Sequence, residues 1–162
     1  MYQREQHRST EKSPHMVCSV LIPAYNRPEY LMQCLRVLTA SRRKDIEFIV
    51  SEDNSPAQEL TRTKLQDIQD VRLRCFFQEK NLGWSDNRNF LIGEAGGEYL
   101  LLIGDDDILD IDRLLEYTLD RDIDADIIGI GYRTIDEDGR QTGEYRSPGY
   151  WGFNGHSWIG RR

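Results

Sequence analysis

Three consecutive carboxylates, Asp105, Asp106 and Asp107, follow directly on the apolar run Tyr99 to Ile103. Unit charges ~4 Å apart repel by about 1 kcal/mol in water and about 4 kcal/mol at an effective dielectric near 20, so a compact fold has reason to avoid such a cluster. Two roles are open to it. The aspartates can form a solvated turn that caps the next helix, or they can hold a divalent cation. Hard oxygen ligands suit magnesium or manganese, and magnesium usually takes one or two carboxylates together with substrate phosphate oxygens. Asp110 and Asp112 lie nearer the expected start of the next helix. Capping therefore does not require the triplet, which favours a metal and a diphosphate.

Other candidates stand at the ends of other apolar runs. Asp53 follows Ile46 to Val50; a carboxylate at a strand end can accept an N–H from a nucleobase or a ribose hydroxyl, or serve only a turn. Tyr25 lies in Ala24-Tyr25-Asn26-Arg27-Pro28, where its ring offers a platform for a base or packs on the sheet edge. Arg88 and Asn89 fall about one turn into a predicted helix, where positive charge can meet a phosphate that also sees helix N–H groups, or can lie on an exposed helix surface. Gly129 and Gly131 lack the third glycine and the following helix of a dinucleotide fingerprint. His7, His15 and His156 are scattered, which leaves no visible histidine metal site or nucleophile–histidine relay.

The elements that must position these residues are legible as periodicity. Apolar segments of strand length recur at Val17 to Pro23, Ile46 to Val50, Val71 to Phe77, Tyr99 to Ile103 and Ile127 to Tyr132. Between them, Leu31, Cys34, Leu35 and Leu38 follow the spacing of one buried helical face, with Pro28 in the first turn. Ser55-Pro56-Ala57-Gln58 has the form of a capping box and predicts a second helix from Ser55. A third is expected over Ser85 to Ala95, ending at Gly96-Gly97, and a fourth from about Asp112 to Asp120. Alternating strands and helices imply a Rossmann-like α/β domain, a mostly parallel central sheet with helices on both faces. Ligands of such sheets bind beyond the carboxyl ends of the strands, where strand order reverses. Asp138-Gly139 predicts a polar hairpin.

With 162 residues, 38% hydrophobic and 30% charged, one domain is expected, residues 16–162 behind a disordered leader of residues 1–15. The net formal charge of −7 argues against a general nucleic-acid binder. That acidity is local, since ten acidic residues from Asp105 to Asp126 face only Arg113 and Arg121. Cys18, Cys34 and Cys75 are odd in number, lack C-x-x-C spacing and sit among apolar neighbours, so they are read as reduced core thiols of a cytosolic protein. No apolar stretch approaches the roughly 20 residues of a membrane helix. Tyr150 to Trp158 is aromatic and glycine-rich, open to use as an acceptor subsite, a contact with a second subunit or part of a larger core.

Four blocks, VCSVLIPAYNRPEYLMQCL, EFIVSEDNSP, NLGWSDNRN and GGEYLLLIGDDD followed by DRLLE, together resemble family 2 glycosyltransferases of the glycosyltransferase A fold, over about Val17 to Tyr132. That resemblance implies a metal-dependent transfer of a sugar from a nucleoside diphosphate, most often a uridine diphosphate, to a glycan or lipid-linked acceptor, with inversion at the anomeric carbon. It implies that Pro23, Ala24, Tyr25 and Asn26 line the nucleotide, that Asp53 recognises the base, and that the triplet is the D-x-D region. There Asp106 aligns best as ligand of Mn2+ or Mg2+, with Asp105 and Asp107 beside it, and Gly104 replaces the family's usual first aspartate. Arg88 and Asp105 join the nucleotide-binding set. The resemblance further implies cytoplasmic work, in part at the inner face of a membrane, and is compatible with a homo-oligomer. No general base is assigned, because in the family it comes from a later acceptor-binding half, much of which this chain is expected to lack. A nucleotide-sugar-binding module that needs a partner for activity is the alternative. An aspartyl phosphotransfer domain is disfavoured, since it needs an aspartate where the first strand ends in Ala24-Tyr25-Asn26.

Overall fold

A computed structural model describes residues 16–121, 125–145 and 158–161. The expected leader and most of the aromatic stretch from Tyr150 lie outside the described residues. Strands and helices alternate in the order β1 (Cys18–Ala24), α1 (Pro28–Thr39), β2 (Ile46–Glu52), α2 (Gln58–Leu65), β3 (Leu73–Phe77), α3 (Trp84–Glu94), β4 (Tyr99–Leu102) and α4 (Ile111–Tyr117), with a short 3₁₀ turn at Leu119–Arg121. Then come β5 (Ile127–Gly129), β6 (Tyr132–Ile135), β7 (Gln141–Tyr145) and β8 (Trp158–Arg161).

The main sheet runs β3-β2-β1-β4-β8-β5. β1 pairs in parallel with β2 and β4, and β2 with β3. β8 is antiparallel to both β4 and β5. The α/β expectation therefore holds, with one strand of opposite direction that hydropathy did not reveal. β6 and β7 form a separate antiparallel hairpin, turned at Gly139 where the Asp136 carboxylate accepts the Asp138 and Arg140 N–H groups. The strand expected over Ile127 to Tyr132 is divided between the two sheets, since β5 ends at Gly129 and β6 begins at Tyr132.

Alternation along the strands explains the two-faced core. Val20, Ile22, Phe48, Val50, Leu101 and Ile103 point to one face, where they pack with Leu31, Leu35 and Leu38 of α1, Ile111 and Leu115 of α4, and Leu65 of α2. Their sequence neighbours Leu21, Ile49, Leu100 and Leu102 point to the other face, against Leu91 and the adjoining Ala95 of the α3 segment. At ~25 cal/mol per Å² of apolar surface removed from water, each such side chain contributes about 1.5–3 kcal/mol. This two-sided burial is why β1, β2 and β4 read as continuous apolar runs and not as strict alternation.

Two boundaries differ from expectation for physical reasons. β3 begins at Leu73 because Val71 is fully exposed. The predicted capping box is overturned: α2 starts at Gln58, not Ser55. The Ser55 hydroxyl is held by the Glu52 carboxylate, which also accepts the Ser55 N–H. Gln58 does not reach back to Ser55, and its side-chain amide instead donates to the Gln78 carbonyl at 2.9 Å. By contrast Pro28 opens α1, and Asp110 caps α4 by accepting the Arg113 N–H at 3.0 Å. The triplet is thus free of capping duty. No helix among the described residues is long and apolar enough to cross a membrane.

Candidate nucleotide and metal site

Strand order reverses between β1 and β4: α1 leads from β1 to β2 across one face of the sheet, whereas β4 is reached from β3 through α3 on the opposite face. In open α/β sheets, ligands bind in the crevice beyond the carboxyl ends of the strands at such a reversal. The residues at those two ends are Tyr25 to Arg27 and Gly104 to Asp107. Asn26, with φ of 58°, turns the chain out of β1 in the left-handed conformation that asparagine tolerates. Pro28 then starts α1, leaving Arg27 as a helix-flanking residue whose side chain is free to reach across the reversal.

It reaches the aspartates. Arg27 Nη2 donates to Asp105 Oδ1 at 2.5 Å and Nη1 to Asp106 Oδ2 at 2.7 Å, so one guanidinium bridges two carboxylates. Asp105 is only 1% exposed and its other oxygen accepts the Tyr25 N–H at 3.3 Å. Burial pushes the Asp105 carboxyl up to about 6, while the Arg27 charge and the Tyr25 N–H pull it the other way. Asp107 bends back, and its Oδ2 accepts the Gly104 N–H at 2.7 Å. Gly104 is explained by the same fold-back, because a Cβ there would lie 2.7 Å from Asp106 Oδ1 and 3.3 Å from Asp107 Oδ2. Any side chain at this position would force Asp106 to move.

Asp53 belongs to the neighbouring strand end, and it is buried. Its two oxygens accept the Leu82 N–H at 2.7 Å and the Gly83 N–H at 2.9 Å, and its own N–H donates to the Ala24 carbonyl at 3.0 Å. The 81–83 loop and the start of α3 are thereby pinned to the ends of β1 and β2. Each carboxylate oxygen retains a second lone pair for a ligand donor. Tyr25 is 48% exposed, so its ring is open to a partner, whereas Ala24 is buried and presents only backbone.

Arg88 stacks on Trp84, its Cζ 3.3 Å from the ring centroid. Among the described residues its buried Nε has no hydrogen-bond partner, and burial pulls the guanidinium below its ordinary pKa. A buried donor left unpaired costs free energy that a bound acceptor would recover. Asn89 takes no part in this cluster among the described residues. Sequence reading missed its neighbour Asn87, which is buried and exchanges hydrogen bonds with Ser51, accepting from Oγ at 2.5 Å and donating to the Ser51 carbonyl at 3.0 Å. It also missed Arg27; the only local signal was a cation three residues past the strand end in a chain with three consecutive aspartates.

Pro23, Ala24, Tyr25, Asn26, Asp53, Asp105 and Asp106 are thus brought to adjoining strand ends. Asp107 is in the same turn but faces Gly104. Among the described residues no group of three or more His, Cys, Asp or Glu side chains is arranged to enclose a metal. The donor set nevertheless suits a hard divalent ion: Asp105 and Asp106 already converge on one cationic group through oxygen alone. A separate crevice of about 350 Å³, lined by Met32, Arg36, Thr39 and residues 67–70, lies beside the C-terminal end of α1, far along the sheet from these residues.

An open α/β sheet with acidic and aromatic residues at its switch point is a candidate ligand-binding arrangement. The family model described as Glycosyl transferase family 2 matches residues 19–159, and the chain belongs to that family. It is 29% identical over 161 aligned positions to glycosyltransferase GlyG of Streptococcus pneumoniae, covering 87% of this chain and 53% of that protein. It is 34% identical over 94 positions to the GalNAc(5)-diNAcBac-PP-undecaprenol beta-1,3-glucosyltransferase of Campylobacter jejuni, covering 56% of this chain and 30% of that one. The chain spans about half the length of these relatives or less. Among solved structures, the mannosyltransferase PcManGT of Pyrobaculum calidifontis in complex with GDP-Man and Mn2+ aligns with a TM-score of 0.66 at 14% identity, over 93% of this chain and 48% of that one. Staphylococcus aureus TarS 1-349 in complex with UDP-GlcNAc aligns with a TM-score of 0.60 at 24% identity, over 75% of this chain and 37% of that one. Both establish the glycosyltransferase A fold.

Proposed function

We propose that this chain is the donor-binding part of a glycosyltransferase that moves a sugar from a nucleoside diphosphate, most simply a uridine diphosphate, to a glycan or lipid-linked acceptor with inversion. The observation that carries this is the gathering of Tyr25, Asp105 and Asp106 at the β1/β4 reversal, with Asp53 at the adjoining strand end. Membership of the family and the sugar-nucleotide complexes of its structural neighbours support the same choice.

The chain's own residues divide the work. The segment Pro23 to Asn26 lines the nucleotide, with the exposed Tyr25 ring as a surface for the base. Asp53 accepts from the base or ribose while holding the 81–83 loop. Arg88 offers its unpaired Nε to a diphosphate oxygen, a charge-assisted bond stronger than a neutral one. Asp106 and Asp105 would hold Mn2+ or Mg2+, with Asp107 adjacent. When bound, such an ion supplies Lewis-acid stabilisation of the negative charge that develops on the departing diphosphate. The base that takes the acceptor's proton is outside this assignment.

Calorimetry with uridine diphosphate, with and without manganese, tests the proposal. Metal-linked binding that is lost in Asp106→Asn is the expected result, and a folded chain that binds no nucleotide under either condition would reject it. Release of uridine diphosphate from a donor sugar separates an active transferase from a binding module that works through a partner.

A further inference from the structure

The bridge between Arg27 and the two aspartates has a feature that a surface salt link lacks. The guanidinium does not fork onto one carboxylate; it spends one nitrogen on Asp105 Oδ1 and the other on Asp106 Oδ2. The other oxygen of Asp105 takes the Tyr25 N–H, Asp106 Oδ1 lies beside Gly104, and Asp107 Oδ2 takes the Gly104 N–H. The pair of oxygens on which Asp105 and Asp106 converge is therefore the pair that Arg27 occupies.

From this geometry we propose that Arg27 is a built-in counter-cation. It neutralises the Asp105–Asp106 pair while no divalent ion is present and competes with such an ion for the same oxygens, so that the strength of metal binding is set by this arginine. The inference rests on the assignment of the donor site above and deepens it.

Charge and mobility both favour the exchange. A single positive charge faces two carboxylates, so a divalent ion satisfies the pair better than the arginine does. Asp105 is fixed by burial and by the Tyr25 N–H, whereas Arg27 is 48% exposed and Asp106 45% exposed along their side chains. Arg27 can swing out to water, but because Asp105 is buried it does so at modest cost only when the divalent ion takes its place on the carboxylates. Without it, one deeply buried carboxylate and its neighbour would face each other uncompensated, and the turn that carries them would open. The arginine thus keeps the site assembled in the metal-free protein and lowers its affinity for metal in return.

Manganese binding to the full chain, followed by the EPR signal of free Mn2+ in the absence of nucleotide, tests this directly. Arg27→Gln should tighten Mn2+ binding by about tenfold, from loss of a competing unit charge at contact distance. Arg27→Lys keeps the charge but cannot span two carboxylates with one planar fork, and should tighten binding by a smaller factor. In chelator, Arg27→Gln should melt at a lower temperature than wild type, and saturating Mn2+ should raise its melting temperature by more than it raises that of wild type. If wild type binds Mn2+, Asp106→Asn abolishes that binding, and both Arg27 variants bind as wild type does, the counter-cation role is rejected while the donor site stands. If neither wild type nor either Arg27 variant binds Mn2+ even with uridine diphosphate, the donor-site assignment fails and this inference falls with it. Should Arg27→Gln not fold, Arg27→Lys alone decides, and an affinity equal to wild type overturns the proposal.

Discussion

The carboxylate of Asp53 accepts the backbone N–H of Gly83 at 2.9 Å, joining the end of β2 to the start of α3 across 30 residues of sequence. With the Leu82 N–H on its other oxygen, Asp53 satisfies two donors at a helix N-terminus, where negative charge is also favoured by the helix dipole. Asp53→Asn turns one oxygen into an NH₂ group that must face an N–H. We expect a loss of about 1–3 kcal/mol, read as a lower urea midpoint, and faster hydrogen exchange at the Leu82 and Gly83 amides. An unchanged midpoint would show that these bonds do not hold the loop.

Two glycines of the same segment should respond in opposite directions to alanine. Gly83 has φ of 82°, a conformation that L side chains rarely adopt. Gly93 lies within α3, and a Cβ added there would meet nothing within 4 Å. Gly83→Ala is expected to destabilise by about 1 kcal/mol or more. Gly93→Ala is expected to stabilise by about 0.5–1 kcal/mol through helix propensity. Thermal melts of the two variants side by side check the contrast.

Asp70 orients Arg72, accepting Nε at 3.0 Å and Nη2 at 2.6 Å, while Arg72 also donates to the Arg43 and Thr39 carbonyls. The Arg72 guanidinium, through these hydrogen bonds, holds the Asp70 carboxyl below the ordinary carboxylate range. A carboxyl whose pKa is depressed by folding binds fewer protons in the native than in the unfolded state. Its stabilisation is therefore present above pH ~4, the unfolded value, and is lost as pH falls through that value toward the lower native one. Asp70→Asn should cost about 2 kcal/mol at pH 7, with the deficit narrowing as the pH drops below ~4. A deficit that stays constant down to about pH 2.5 in denaturant titrations would contradict the assignment.

Cys18 and Cys34 are buried free thiols, and Cys75 is partly buried. Burial pushes Cys18 and Cys34 up to about 12 and Cys75 up to about 11, with the charges of Asp107, Asp105 and Asp106 adding to the effect at Cys34. The thiolate is the reactive form, so from the smaller thiolate fraction alone Cys18 and Cys34 should be alkylated on the order of a thousandfold more slowly than an unperturbed thiol at pH 7. Mass spectrometry after iodoacetamide treatment should find Cys75 modified first in the native protein and all three modified in denaturant. Rapid native labelling of Cys34 would show that the α1 face opens readily.

Features that depend on neighbours within a few residues are legible in the chain itself. The apolar spacing of Leu31, Cys34, Leu35 and Leu38, the proline at the head of α1, and the runs that form β1, β2 and β4 are all of this kind, whereas the sequence left the cap of α4 open between Asp110 and Asp112. Burial periodicity and backbone chemistry act at that range, so the chain spells them out. Where two local options compete, as at Ser55, the outcome is mixed: its hydroxyl donates to the Glu52 carboxylate and accepts the Ala57 N–H, while the Gln58 side chain that should complete a capping box is engaged by the Gln78 carbonyl.

By itself, then, the sequence determined the α/β class and which strand ends carry acid. Tertiary structure alone decided that a strand from Trp158 enters between β4 and β5, that Asp53 braces the 81–83 loop, that Asn87 and not Asn89 is locked to the sheet, and that Arg27 spans Asp105 and Asp106. These are contacts between residues roughly 30 to 80 positions apart. No periodicity encodes them, because which partners meet is chosen by strand order and by the removal of charge and hydrogen-bonding groups from water, and both exist only once the chain has closed on itself.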